Sequence, residues 1–296
     1  MSETDADTDL RLAVATDAET LERVRDPLAE RGIECEHVPT SERALDLSTD
    51  LGTFDVGFVF PSRLAEGGVA DALLDVPWVN GREAIQRSRY KAETLARLSR
   101  AGVPTPETTM VSNAVTESDL VAVWESFDAP VVVKPNSTTR GTGVAKCGDL
   151  DSFLGVCDYL DLVHDYRATG DRSFLVQEYL PDAVDYRVML VEGEYVGAVE
   201  RRLPSEALAE GRWKHNVHRG AEAEGVALPA ELRELAAGAA DALDVDWLGV
   251  DLLVTDDRAV VNETNARPTV DSATKYEEGF YDRLAELVRA TARDDR

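Results

Sequence analysis

The chain has 296 residues, 44% of them hydrophobic, and no apolar run near the roughly 18 residues a membrane span needs, so it is globular and long enough for about two domains. Its 57 acidic residues against 31 basic ones leave a formal net charge of -26, which argues against nucleic-acid binding through a basic surface. The acidic residues are spread along the chain and arginine far outnumbers lysine, a surface suited to a cytoplasm of high salt, where counterions screen the self-repulsion. Residues 1–9 lack the positive n-region and apolar h-region of a signal peptide and are read as a short disordered tail on a cytoplasmic protein. Cys35, Cys147 and Cys157 form no CxxC pair and are read as small buried hydrophobes.

In chain order, strands are expected at 10–15, 33–38, 54–60 and 76–79, alternating with helices at 17–31 and 64–74. Asp17 is the expected N-cap of the first helix and Gly32 its stop. Such alternation builds a parallel α/β sheet. No GxGxxG follows the first strand, so the phosphate loop of a dinucleotide site is missing. One helix over 83–101 closes this region, before the stop Gly102-Val103-Pro104-Thr105-Pro106. Next come a strand at 108–111, a helix at 118–127 and a valine-rich strand at 130–134 broken by Pro135. A glycine-bearing loop at 136–143, a strand at 144–146 and helical segments to about 167 complete a small α+β lobe. The last region holds a strand at 174–179 and a hairpin of 185–191 with 195–202, turned at Glu192-Gly193-Glu194. An amphipathic helix at 229–243, a second hairpin of 247–254 with 259–265 and a closing helix at 277–292 follow.

The last hairpin carries the strongest chemistry. If Asp256, Asp257 and Arg258 form a three-residue turn, Asp251 lies opposite Glu263, which shares its face with Val261 and Asn265. Asp251, Glu263 and Asn265 would then offer hard oxygen ligands suited to Mg2+; a solvated polar face is the alternative. Lys134 ends the valine run, where an ammonium wants an anion. The loop after it, Thr138-Thr139-Arg140-Gly141-Thr142-Gly143, can present backbone N–H groups to phosphates, although an ordinary turn competes with this reading. Gln177-Glu178-Tyr179-Leu180 ends a strand where backbone groups could pair with an adenine edge, and Asp185 could hold ribose hydroxyls. Arg201, Arg202, Lys214, His215, His218 and Arg219 gather cations in a chain short of them, which suits a phosphoryl group better than a solvated loop. His37 and His164 are read as structural.

Taken together, these features resemble the ATP-grasp superfamily, and within it the RimK-like ligases that add glutamate or a similar amino acid. The resemblance runs from about residue 80 to 268. It rests on Gly81-Arg82-Glu83-Ala84-Ile85 with Lys91, on Ala101-Gly102-Val103-Pro104-Thr105-Pro106, and on Pro130-Val131-Val132-Val133-Lys134-Pro135. It continues through Arg140-Gly141-Thr142-Gly143, Val176-Gln177-Glu178-Tyr179, Asp185-Tyr186-Arg187-Val188 and Asn216-Val217-His218-Arg219-Gly220. Gly249-Val250-Asp251-Leu252 and Asn262-Glu263-Thr264-Asn265 complete it.

The resemblance implies an α/β fold of three subdomains: an N-terminal parallel unit (1–82), a central lobe (83–175) and a C-terminal lobe with the metal site (176–296). ATP would be gripped between the last two. It implies that Lys91 and Lys134 contact ATP phosphates and that Thr139, Arg140, Gly141, Thr142 and Gly143 cover them. Gln177, Glu178, Tyr179 and Leu180 would line the adenine, Asp185 would hold the ribose, and Asp251, Glu263 and Asn265 would bind Mg2+, for which Mn2+ could substitute. Arg219, with Asn216, would stabilise phosphoryl transfer. The implied reaction joins a small-molecule or peptide carboxylate to an amino-acid amine through an acyl phosphate. Nucleic acid and membrane are not expected partners, and a homo-oligomer is allowed for. The alternatives are another ATP-grasp amide ligase, or a non-catalytic nucleotide- or partner-binding module that kept the fold. Arg187, Arg202 and Arg267 are the candidate substrate contacts. Arg267 departs from the family, which follows its Glu-x-Asn with small residues, Pro and Gly, where this chain reads Ala266-Arg267-Pro268-Thr269. An arginine there can grip a carboxylate with two parallel hydrogen bonds; a surface arginine paired with an acidic neighbour is the competing reading.

The charge balance generates a first prediction. Counterions must screen a net charge of -26, so the melting temperature should rise from dilute buffer to molar KCl. A flat or falling melting temperature over that range removes the high-salt reading.

Overall fold

A computed structural model describes residues 10–16, 19–40, 44–112, 115–139, 141–163, 172–271 and 276–294. The expected tail at 1–9, the Asp17 cap, His164 and Arg140 lie outside the described residues.

Three short strands open the chain: β1 (Leu10–Val14), β2 (Ile33–His37), which alternates buried Ile33 and Cys35 with exposed Glu34 and Glu36, and β3 (Val56–Phe58). They form the expected parallel sheet in the order β2-β1-β3. The fourth expected strand is reduced to a single bridge between Gly57 and Trp78. Gly57 has no alternative here, because a Cβ would lie 2.4 Å from the Trp78 indole. Helix α1 (Glu19–Ala29) buries Leu21, Val24 and Leu28 at helical spacing, and α2 (Leu64–Leu74) follows β3.

The single helix expected over 83–101 is two helices, α3 (Arg82–Arg89) and α4 (Lys91–Arg100), broken at Tyr90, whose backbone is extended. The cause is remote in sequence. Asn136 caps α4 from across the chain, its carbonyl accepting from Lys91 N (3.1 Å) and its Oδ1 from Ala92 N (2.9 Å). Both helices pack against the C-terminal part of the fold, not the central lobe in which they were expected.

The central sheet has the order β4-β7-β5-β6, every pair antiparallel: β4 (Thr108–Val111), β5 (Val131–Pro135), β6 (Ala145–Cys147) and β7 (Phe174–Glu178). Helices α5 (Glu117–Glu125), started by a Thr116–Asp119 capping box, and α6 (Leu150–Val163) accompany it. One face of the sheet carries Val131, Val133, Cys147 and Val176 into a core with Leu120 and Phe153. Because β7 pairs only with this sheet, the boundary expected between 175 and 176 falls inside a strand; the chain changes sheets between Glu178 and Val184.

The C-terminal sheet, order β10-β9-β8-β11-β12, is antiparallel throughout. Its strands are β8 (Val184–Val191), β9 (Glu194–Arg202), β10 (Glu222–Gly225), β11 (Trp247–Val254) and β12 (Ala259–Asn265); β10 was not expected. Period-two alternation splits β8 between two cores: Val188 and Leu190 pack toward α8 (Ala230–Leu243), Met189 and Val191 toward α9 (Phe280–Arg293) and the N-terminal sheet. A short helix α7 (Ser205–Ala209), also unexpected, follows β9. No described helix is long and apolar enough to cross a membrane. All three cysteines are buried and free, as expected, and burial pushes the thiols of Cys35 and Cys157 up to about 12.

Asn136→Ala keeps the carbonyl that accepts from Lys91 N but removes the side-chain acceptor of Ala92 N, and should cost about 1 kcal/mol, read as a lowered urea midpoint with an unchanged slope. An unaltered midpoint would mean the side-chain half of the cross-chain cap contributes nothing.

Candidate active site

The charged residues follow from strand register. Asp185 pairs with Arg201 across β8 and β9, Arg187 with Asp251 across β8 and β11, and Asp251 with Glu263 across β11 and β12. All five side chains therefore share one sheet face. Asp251 lies opposite Glu263 as expected, but by a different route. Thr255 to Arg258 make a four-residue turn, and a bulge at Asn262 restores the register. The bulge turns Val261 into the core with Val250 and Leu252, away from the Glu263 face it was expected to share.

The face is an alternating row of charge. Asp251 accepts from Arg187 through both oxygens (2.8 and 2.9 Å), and its Oδ2 lies 3.0 Å from Arg201. Arg201 Nε also donates to Asp185 at 2.8 Å, and His215 Nδ1 stands 3.8 Å from the other Asp185 oxygen. Burial opposes ionisation of Asp251, but the two guanidinium groups hold its carboxyl at about 2. Asp185 is pushed up to about 6, first by burial and then, against the pull of Arg201, by the Asp251 charge. Burial and the Arg201 charge lower His215.

The central sheet turns its polar face toward this row. Lys134 Nζ donates to Gln177 Oε1 (2.9 Å) and reaches Asn262 Oδ1 on β12 (3.4 Å), so the two sheets meet here. Gln177 is held by Thr108 at 2.8 Å. Lys91, at the start of α4, lies 3.2 Å from Glu263 and donates to the Thr138 carbonyl. Burial lowers Lys134 to about 8; Glu263 raises it and Lys91 lowers it further. Two buried ammonium groups this close mark a place for an anion.

Above them sits the glycine loop. Thr138 Oγ1 bonds the Thr142 carbonyl (2.9 Å), and Thr142 N bonds the Thr139 carbonyl (3.2 Å). Gly141 has φ +65°, and a Cβ there would meet Asn216 Oδ1 at 2.5 Å, so only glycine lets the loop rest on Asn216. Lys214 also ties to the loop's far end at the Val144 carbonyl. Arg219, by contrast, is exposed on the 3-10 turn Val217–Arg219.

Other expected residues are placed differently. Arg202 stands on the face opposite Arg201, exposed and paired with Glu200 and Glu224, because neighbouring strand residues point oppositely. It is Arg201 that enters the charged row. Glu178 uses its side chain on the Glu107 amide (2.7 Å) and on Arg258, while Tyr179 and Leu180 leave the strand. Lys146 and Trp213 were not singled out. Lys146 Nζ lies 4.5 Å from the Tyr179 ring centroid and 5.5 Å from that of Trp213, and the two rings meet edge to face at 5.9 Å. The hint was available in β6, where Lys146 alternates with core-facing Cys147.

The donor set fits a divalent ion with oxygen ligands: two carboxylates on facing strands and the amide of Asn265, whose Oδ1 accepts from Arg267 N at 2.9 Å. Among the described residues no three acidic, His or Cys side chains converge on one point, so such an ion would draw further ligands from phosphate and water.

Fold and charged face define the class: this is an ATP-grasp fold. Solved structures of the same fold include a RimK domain protein ATP-grasp from Sphaerobacter thermophilus (TM-score 0.63, 21% identity, 95% of this chain and 98% of that one). The D-cycloserine synthetase DcsG (0.70, 18%, 96% and 100%) and an ATP complex of the Bacillus anthracis D-alanine–D-alanine ligase (0.68, 16%, 96% and 97%) share it too. The RimK-like ATP-grasp domain model matches residues 88–282, and the chain belongs to that family. The ribosomal protein bS6–L-glutamate ligase of Escherichia coli O139:H28 is 32% identical over 199 residues, 67% of this chain. A probable alpha-L-glutamate ligase of Thioalkalivibrio sulfidiphilus is 33% identical over 202 residues, 65% of this chain. The match spans about 62% of the length of the first relative and 60% of the second.

Arg201→Met should destabilise the protein by about 3 kcal/mol at pH 8, because it strands the buried Asp185 carboxylate and takes one of two cations from Asp251, which keeps Arg187. Asp185 already titrates above the ordinary carboxylate value, so its contribution to stability is lost as pH rises through about 6. Without Arg201 that penalty grows, and the melting-temperature deficit of the variant should be smaller at pH 5 than at pH 8. An equal deficit at both values would contradict the coupling.

Proposed function

We propose that this protein is an ATP- and Mg2+-dependent ligase that joins a carboxylate to an amine through an acyl phosphate. The observation that carries the reading is the convergence of Lys91, Lys134, Arg187 and Arg201 with Asp185, Asp251 and Glu263 where two sheets meet. Such a surface offers cations to a triphosphate and carboxylates to its metal. Family membership and glutamate-ligase relatives support it.

In this reading Lys134 and Lys91 hold phosphate oxygens, and the loop from Thr139 to Gly143 closes over them, steadied from below by Asn216. Tyr179, Leu180 and the backbone of Glu178 meet the base. Asp185, freed from Arg201 as the nucleotide enters, reaches the ribose. Asp251, Glu263 and Asn265 would hold the ion, which would supply charge neutralisation for the transferred phosphoryl group. A substrate carboxylate attacks the terminal phosphorus, ADP leaves, and an amine attacks the acyl carbon and expels phosphate. Arg187 and Arg201 lie beside Asp251 and stabilise negative charge during both steps, a role expected from the sequence of Arg219 with Asn216. No side-chain nucleophile is needed; the catalytic contribution is position and charge. Glutamate, as in the relatives' names, is the first amino acid to try as amine.

Asp251→Asn and Glu263→Gln should each lower ADP release, in the presence of ATP, Mg2+ and an amino-acid panel, by at least about a hundredfold at a temperature where far-UV circular dichroism shows each variant folded; Glu263→Gln should keep its melting temperature within a few degrees, whereas Asp251→Asn should lower it, because Arg201 loses a buried partner. Mass spectrometry of the products would name the substrates. Near wild-type turnover in either variant would sink the assignment.

A further inference from the structure

The ladder between β11 and β12 ends at the pair Gly249–Asn265, and Asn265 is the last residue of its strand. Backbone beyond a strand end is held only by what else reaches it. The next residue, Ala266, is nevertheless buried and gripped at both of its backbone groups. Its N–H donates to Ser88 Oγ (3.0 Å), and its carbonyl accepts from Asn80 Nδ2 (2.8 Å). Neither partner belongs to the sheet. Ser88 lies in the last turn of α3, and Asn80 stands just before that helix.

Both partners are suited to the grip. Asn80 is buried and has φ +54°, a left-handed conformation that asparagine tolerates better than most side chains. Its amide also takes both backbone groups of Trp247, the first residue of β11: Oδ1 accepts from Trp247 N (3.3 Å), and Nδ2 donates to the Trp247 carbonyl. One side chain thus spans the two strands just past their last backbone pair. Ser88, also buried, shares a second bond with Thr264 Oγ1 (3.0 Å), so it is bonded to the residues on either side of Asn265. Further along the same helix junction, Lys91 stands 3.2 Å from Glu263. The break between α3 and α4 therefore addresses β12 at both of the residues read as ion ligands.

Beyond Ala266, Arg267 N donates to Asn265 Oδ1 at 2.9 Å. An amide oxygen has two lone pairs, so this bond fixes the Asn265 side chain and leaves the second lone pair to an ion. Arg267, expected to grip a substrate, serves here through its backbone. Its Nε is buried without a hydrogen-bond partner, and among the described residues no carboxylate pairs with it.

We propose that Asn80 and Ser88 are positioning residues of the metal site: by fixing Ala266 they aim the Asn265 amide oxygen. The inference rests on the ligase reading for what Asn265 binds. A purely structural role for the two residues predicts lower stability with unchanged metal affinity in the folded variants.

Electron paramagnetic resonance of free Mn2+ separates the two, on the full chain with saturating ADP and at a temperature where far-UV circular dichroism shows every variant folded. Ser88→Ala leaves Ala266 N without its acceptor, and Asn80→Gly keeps the left-handed backbone while deleting the amide. Each should raise the Mn2+ dissociation constant about tenfold, and Ser88→Thr, which keeps a hydroxyl, should recover most of that loss. Thr20→Val is the structural control. It removes the buried hydroxyl that accepts from Val270 N (3.1 Å) further along the same segment, and should lower the melting temperature while the Mn2+ constant stays within about twofold of wild type. In an Asn265→Ala background, Ser88→Ala should add less than about twofold, because its effect passes through that side chain. The proposal is overturned if Ser88→Ala and Asn80→Gly leave the Mn2+ constant unchanged, if Thr20→Val weakens Mn2+ as much as they do, or if Ser88→Ala keeps its full effect without the Asn265 side chain. A wild-type chain that holds no Mn2+ with ADP overturns the ligase reading and this inference together; wild-type binding with unmoved variants overturns this inference alone.

Discussion

Everything in the site depends on one buried carboxylate. Asp251 stands between the half-buried Arg187 and the buried Arg201, and its charge makes the Arg201 guanidinium tolerable in the interior. Arg201 in turn holds Asp185, and Glu263 lies opposite Asp251 on β12, so the residues share one face across four strands. A buried ion-pair network of this kind is a weak source of stability and a strong constraint on geometry. It fixes the rotamers of the groups that a triphosphate and its metal would meet. The lysines complete the balance from the other sheet: four cations face three carboxylates, leaving room for added negative charge.

The N-terminal sheet is no separate bead on this assembly. Val38, Phe54 and Phe60 share a core with Leu190 and Ala198 of the C-terminal sheet, and α9 packs between β1–β3 and β8. The parallel unit is thereby anchored on the sheet that carries the charged row.

How much of this the sequence revealed depended on how local the cause was. The hairpin of Asp251 and Glu263 was legible because strand alternation is local, yet the pairing came from two departures that cancel, a longer turn and a bulge. Lys134 was legible as a cation at the end of an apolar run. The break at Tyr90 was not, because the residue that causes it, Asn136, is 46 positions away in the numbering and no helix breaker stands at the site. Choosing Arg202 over Arg201 failed for a related reason. Adjacent arginines differ only in which face the register assigns them, and the partners on β8 and β11 that decide this were not known in detail. Lys146 and Trp213 meet Tyr179 only once three distant segments converge. The unpaired state of Arg267 is likewise a property of packing.

The cap that Asn136 places on α4 has a mechanical consequence. Helix α4 is packed against α8 and β12, whereas Asn136 belongs to the end of β5 in the other sheet. An outward swing of the central lobe must release the amides of Lys91 and Ala92 together, each worth about 1 kcal/mol as a hydrogen bond. The two bonds therefore tie α4 to the end of β5 as a pair, and separating the two elements costs both, about 2 kcal/mol in all.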